Sequence, residues 1–84
     1  MTRETIQAVV TKYLARAIDV DAGTIDTSQS MKDLGANSLD IVEVVSSAMR
    51  ELRVRVPRSE LDDIANIDRL VDLLWEHAQA KAKA

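Results

Sequence analysis

The sequence predicts an all-α fold: a small four-helix bundle with a short third helix and a long ordered loop between helices 1 and 2. Three observations predict it. The 84-residue chain has two Gly and one Pro, too little punctuation for a set of hairpins. Its apolar content is Leu, Ile, Val, Ala and Met with one Tyr, one Trp and no Phe, mixed with Glu, Lys and Arg, a blend that favours helix. Those apolar residues recur at three- and four-residue spacing in three separate segments.

The first helix spans Thr2 to about Ala17. Ile6, Val10, Tyr13, Leu14 and Ala17 fall on one face, and Arg3, Glu4, Gln7, Lys12 and Arg16 cover the others. Thr2 is placed to cap its start. Periodicity stops at Asp19, and "DVDAG" and "TIDTSQS" are rich in turn formers. A connection this long is unusual in a compact domain unless something holds it. Val20, Ile25, Met31 and Leu34 supply apolar anchors. Ser30 and Asp33 suit a capped turn around Met31 to Leu34, and Gly35 then permits a backbone angle that other residues resist.

The second helix runs from about Ser38 to Leu52 or Arg53, with Leu39, Val42, Val45, Ala48, Met49 and Leu52 in helical phase. "RVRVP" alternates, but it is short and meets Pro57, which pushes the preceding residue out of helical geometry. It reads as a helix end and a loop, with Val54 and Val56 tucked in and Arg53 and Arg55 solvated. Pro57 and Ser59 are helix-start residues for a short third helix from Arg58 to about Asp63, with Leu61 and Ile64 as its apolar anchors. Asn66 caps a last helix from Ile67 to about Ala80, whose buried stripe is Ile67, Leu70, Val71, Leu74 and Ala78. Residues 79–84 are expected to fray. With no repeat and no boundary signal, 1–84 reads as one domain. Trp75 suits either the bundle edge or solvent.

Several function classes are excluded or disfavoured. A net charge of −3 has the wrong sign for a nucleic-acid footprint. No apolar stretch is long enough for a membrane span and Met1 opens no signal-peptide pattern, so the expected location is the cytoplasm. With no Cys and the single His77, zinc spacing is absent. His77 reads as a surface residue suited to the negative end of the last helix. Asp19, Asp21, Asp62 and Asp63 lack the calcium-loop arrangement and read as solvated loop and cap residues. Neither Gly belongs to a phosphate loop. Ser38 has no base or triad partner in view, so no enzyme is expected.

"DLGANSLDIVEVV" (Asp33 to Val45) is where chemistry concentrates. Asn37 is a strong N-cap and Asp40 favours the positive end of a helix, so "NS" reads first as a cap. A Ser in a first helical turn also sets its hydroxyl beside free backbone N–H groups, an environment that suits a phosphate, including one esterified to that hydroxyl. Asp40 and Glu43 repel a phosphate and make better handles for a basic partner.

"DLGANSLDIVEVV", preceded by a long loop and followed by "VPRSELDDIANIDRLVDLL", resembles the acyl carrier protein family from about Ile6 to Trp75. The Leu-Gly-x-x-Ser-Leu-Asp-x-x-Glu core carries the likeness. The resemblance implies a four-helix bundle and a 4′-phosphopantetheine arm on Ser38, whose thiol holds acyl groups as thioesters. It implies that Leu39 and Val44 touch the phosphopantetheinyl transferase and enzymes such as an acyltransferase or ketosynthase. It implies that Asp40 and Glu43 meet basic partner residues, and that Ala48, Leu52 and Val56 are buried around an acyl pocket. The expected partner footprint is Asn37 to Met49 plus the third helix. Within it Ile41, Val44 and Met49 lie at the edge of the buried stripe, with core packing as their alternative role. A monomer is expected.

Two features depart from the fatty-acid carrier pattern. Asn37 stands where those carriers usually have Asp. The charge also changes sign along the chain: Asp19 to Glu43 holds six acids against one Lys, net −5, whereas Met49 to Arg58 holds four Arg against one Glu, net +3. Charge across an interface selects partners more than it sets affinity. The reading favoured is therefore a free-standing carrier of polyketide biosynthesis. The Asn-Ser-Leu form is also similar to stand-alone carriers that feed β-branching cassettes with an acetyl unit. The alternatives are a fatty-acid carrier, a peptidyl carrier, and a small helical protein-binding adaptor with no prosthetic group.

Overall fold

The computed structural model describes residues 2–61, 64 and 66–83. Among them the protein is helical without strand: α1 Arg3–Ile18, a 3₁₀ turn Ala22–Thr24, α2 Ser38–Leu52, α3 Arg58–Leu61 and α4 Ile67–Lys83. α1 packs against both α2 and α4.

The three long helices, α1, α2 and α4, start on side-chain caps. The Thr2 hydroxyl accepts the Thr5 N–H at 3.2 Å at the head of α1, and the Asn66 side-chain oxygen accepts the Arg69 N–H at 2.8 Å at the head of α4. α1 and α2 end on residues in left-handed geometry, Asp19 and Arg53, both with φ 56°. α1 buries Ile6, Val9, Val10 and Leu14; in its last turns the buried stripe rotates to Ala15 and Ile18, which leaves the expected Ala17 exposed. α4 buries Ile67, Leu70, Val71, Leu73 and Leu74. Val54 and Val56 fill the core while Arg53 and Arg55 stay outside, as the alternation after α2 predicts.

The phase of α2 differs from expectation. Its buried face starts at Val44 and continues through Val45, Ala48 and Leu52. Leu39 and Val42, expected in the stripe, are 80% and 58% exposed. The first two turns of α2 thus hold apolar side chains in solvent.

The fourth helix also differs in length, and the third is described only to Leu61. α3 is a single turn ending at Leu61; its expected end at Asp63, and the acids Asp62 and Asp63, lie outside the described residues. α4 runs on to Lys83 instead of stopping near Ala80, and the Lys81 ammonium donates to the Arg53 carbonyl. The expected frayed tail therefore falls on helix up to Lys83, and Ala84 lies outside the described residues. His77 lies within α4, with its Nε2 2.9 Å from a Glu60 carboxylate oxygen, and so links α4 to α3.

The loop between α1 and α2 is tied down at several points. Met31 and Ala36 are buried, and Ile25 and Leu34 pack against the core; Val20, an expected anchor, is 43% exposed. Ser28 donates to Asp26 through its hydroxyl and its N–H, which holds the Asp26 carboxyl below its usual range. The carbonyls of Gln29 and Thr27 accept the N–H groups of Ile67 and Asp68 at 3.0 and 2.9 Å. Those are first-turn donors of α4 that no helix can satisfy internally, so the loop completes the cap of α4. On the far side of the bundle, Lys12 and Tyr13 of α1 both donate to Glu51 of α2 at 2.7 Å.

Candidate functional site

The segment leading into α2 is held on both sides. The Ser30 hydroxyl accepts the Asp33 N–H at 3.0 Å, and the Ala36 N–H returns to the Met31 carbonyl at 3.0 Å. Gly35 between them takes φ 104°, which L side chains rarely adopt. The chain then extends at Asn37, where a reciprocal capping box closes: Asn37 Oδ1 accepts the Asp40 N–H, and Asp40 Oδ2 accepts the Asn37 N–H.

Ser38 is the first residue of α2 and is exposed. Its hydroxyl makes no hydrogen bond among the described residues. The N–H groups of Ser38 and Leu39 precede the first intrahelical donor, Ile41, whose N–H reaches the Asn37 carbonyl at 3.0 Å. They are left open at the positive end of the helix dipole. Asp40, the closest acid in sequence, has its carboxylate turned back onto the cap. An oxygen linked to a phosphodiester fits this position.

Beside Ser38 an apolar cleft of about 820 Å³ opens between α2 and the α3 segment. Ser38, Val42, Val45 and Met49 line it from α2, with Val56, Leu61 and Ile64 opposite. At about 100° per residue, Val42, Val45 and Met49 lie within one narrow sector centred on Ser38. An apolar chain rooted at Ser38 thus has an apolar trough along the same helix face.

The expected site residues divide into three groups. Asn37, Leu39 and Glu43 are exposed, and Asp40 is half-buried, all around Ser38. Ile41 and Met49 are half-buried and line the cleft. Val44 is different: it is 1% exposed and faces the core, because six residues from Ser38 turns it to the opposite side of the helix. Val42, four residues from Ser38, is exposed on the Ser38 face instead. Periodicity puts Val42 in the buried stripe, although its four-residue spacing from Ser38 was a signal that the two share a face. Ala48, Leu52 and Val56 are buried as expected, but of the three only Val56 lines the cleft.

A family model described as "Phosphopantetheine attachment site" matches residues 8–74, most of the chain. The chain belongs to the acyl carrier protein family. It is 32% identical over 78 residues to an acyl carrier protein of Helicobacter acinonychis (strain Sheeba), covering 92% of this chain and 95% of that one. It is 24% identical over 74 residues to a polyketide biosynthesis acyl-carrier-protein, AcpK, of Bacillus subtilis (strain 168), covering 88% and 90%. An acyl carrier protein is a carrier and not a catalyst, and its prosthetic group is phosphopantetheine. Its partners are the transferase that installs the group and the biosynthetic enzymes it serves. No helix among the described residues is long and apolar enough to cross a membrane.

Proposed function

We propose that this acyl carrier protein bears its 4′-phosphopantetheine on Ser38 and presents thioester-linked acyl groups to enzymes of polyketide biosynthesis. One observation carries the attachment site: an exposed hydroxyl with no hydrogen bond among the described residues stands at the head of α2, beside open N–H groups and the mouth of an apolar cleft. The bound group supplies a reactive thiol; the chain supplies placement. The capping box fixes the Ser38 backbone, Gly35 sets the approach to it, and the α2 face with Val42, Val45 and Met49 offers an apolar bed. Asn37, Leu39, Asp40, Ile41, Val42, Glu43 and Met49 form the docking rim. Tethering raises the effective concentration of an acyl group at a docked enzyme.

The polyketide assignment is supported by the likeness to AcpK and by the reversal of charge along α2, which breaks the acidic face that a fatty-acid partner expects. On this reading the chain is one carrier domain, works as a monomer in the cytoplasm, receives acetyl or malonyl units from an acyltransferase and presents them to a ketosynthase or related enzyme.

Incubation with a broad-specificity phosphopantetheinyl transferase and coenzyme A, followed by intact mass, tests the site. The wild type gains one phosphopantetheine and Ser38→Ala gains none; a modified Ser38→Ala sinks the assignment. Loading of the holo form by acetyl and malonyl donors of polyketide systems, but not by aminoacyl donors, supports the pathway. Preferential aminoacyl loading overturns it.

A further inference from the structure

Seven of the eleven Lys and Arg residues divide sharply by their surroundings. Arg3, Lys12 and Arg69 are paired with Asp72, Glu51 and Glu76. Arg50, Arg53, Arg55 and Lys81 have no acid partner among the described residues, and all four line one cleft of about 480 Å³. Its remaining walls are Ser46, Met49 and Val54, so no acid among the described residues lines it. Glu51, the acid nearest in sequence, is held on the other side of α2 by Lys12 and Tyr13 and does not neutralise the cluster. The extended α4 brings Lys81 to the end of α2, where it bonds the Arg53 carbonyl.

We infer that this basic end of α2 is a second docking patch, and that it receives an acidic surface of a partner protein. The inference rests on the carrier reading for the identity of its partners. Glu43 and Arg50 lie in one exposed strip of α2 about two turns apart, roughly 10 Å along the axis. That separation is comparable to the screening length of about 8 Å at physiological salt, so the two signs are felt separately. An interface of one sign tolerates reversal of the helix direction. A patch of each sign fixes it, because the reversed helix sets like charge against like charge. The partner thus carries basic residues near Ser38 and acidic residues about 18 Å away, the rise from Ser38 to Arg50. A nucleic acid does not suit this surface. The cationic area is short, and the flanking Asp19 to Glu43 half, net −5, repels a polyphosphate extending past it.

Amide NMR titration of the full chain with an oligo-glutamate peptide tests the inference. The expected shifts are confined to residues near Arg50 to Arg55 and Lys81, and binding weakens at least ~tenfold at 1 M salt, where screening shortens to about 3 Å. Arg50→Glu with Arg55→Glu abolishes those shifts; both side chains are exposed, and unchanged helicity by circular dichroism verifies the fold. Shifts spread over all basic residues, or no shifts, overturn the inference. Tighter binding of oligothymidylate at the same residues overturns it in favour of a nucleic acid. The same shifts on dilution of the protein alone overturn it in favour of a second copy. Intact mass after phosphopantetheinylation is recorded on the same wild-type sample. A modified protein without peptide shifts fails only the patch; an unmodified one fails the carrier reading.

Discussion

Asn37 and Asp40 cap each other: the Asn37 side-chain oxygen accepts the Asp40 N–H at 2.8 Å, and an Asp40 carboxylate oxygen accepts the Asn37 N–H at 3.2 Å. The pair brackets Ser38 and fixes where its hydroxyl leaves the helix. Asn37→Ala removes the side-chain acceptor and is expected to cost about 1 kcal/mol in urea unfolding. Asn37→Asp keeps the acceptor and is expected to stay within ~0.5 kcal/mol of wild type, since Asn and Asp cap almost equally well. An Asn37→Asp loss as large as that of Asn37→Ala would falsify the capping role.

Ser38 contributes nothing to the fold that Ala cannot. Its side chain is exposed and forms no hydrogen bond among the described residues. Ser38→Ala is expected to unfold within about 0.5 kcal/mol of wild type, in the range of neutral surface changes. Stability is therefore uncoupled from modification, and the same variant serves as a folded blank in every transfer assay.

Val42 and Val44, two residues apart, should behave oppositely. Val44→Ala removes buried methyl groups and leaves a cavity, at a cost of about 2 kcal/mol in urea unfolding. Val42→Ala and Leu39→Ala are expected to change stability by less than ~0.5 kcal/mol. Leu39→Ala is expected to lower the kcat/KM of a partner enzyme at least ~5-fold, the effect of losing a contact worth about 1 kcal/mol. Parallel unfolding and transfer measurements on the three variants decide it.

The helix starts, their N-caps, the special backbone angle at Gly35 and the buried Val54 and Val56 were legible because each rests on local chemistry: a capping side chain, a glycine after a turn, an alternating pair. What was not legible is the facing of α2. Leu39 and Val42 keep the helical period, and periodicity alone does not reveal which side of the first two turns the core covers. The same blind spot put Val44 on the docking rim. The end of α4 was misplaced for a related reason: the link from Lys81 to the Arg53 carbonyl joins residues far apart in sequence.

Glu51 gives the fold a pH dependence with two limbs. Hydrogen bonds from Lys12 and then Tyr13 hold its carboxyl below the usual range, while the bond to Glu51 pushes the Tyr13 hydroxyl up. A lowered carboxylate stabilises the fold above its ordinary range, and that contribution fades as pH falls through the lowered value. A raised phenol stabilises below its ordinary range, and that contribution fades as pH rises through the raised value. Glu51→Gln is expected to flatten the acid limb of the Tm–pH curve relative to wild type. An unchanged acid limb would show that other carboxylates set it.

Gly35 sits at φ 104° with no atom within 4 Å of where a Cβ would stand. Gly35→Ala meets no clash, so its cost is backbone strain alone, about 1–3 kcal/mol by denaturant unfolding. Because the strain falls three residues before Ser38, the variant is also expected to accept phosphopantetheine more slowly than Asn37→Asp in side-by-side time courses.

The carbonyls of Thr27 and Gln29 hold the first turn of α4, so the connection between α1 and α2 is a strap across the molecule. Its amides and those of Ile67 and Asp68 should exchange with deuterium together, as one cooperative unit. The practical outcome concerns grafting. A tag or reporter spliced at 27–29 would detach a helix that begins nearly forty positions later in the chain, whereas one spliced at the solvent-facing 3₁₀ turn, Ala22–Thr24, would leave that clasp shut.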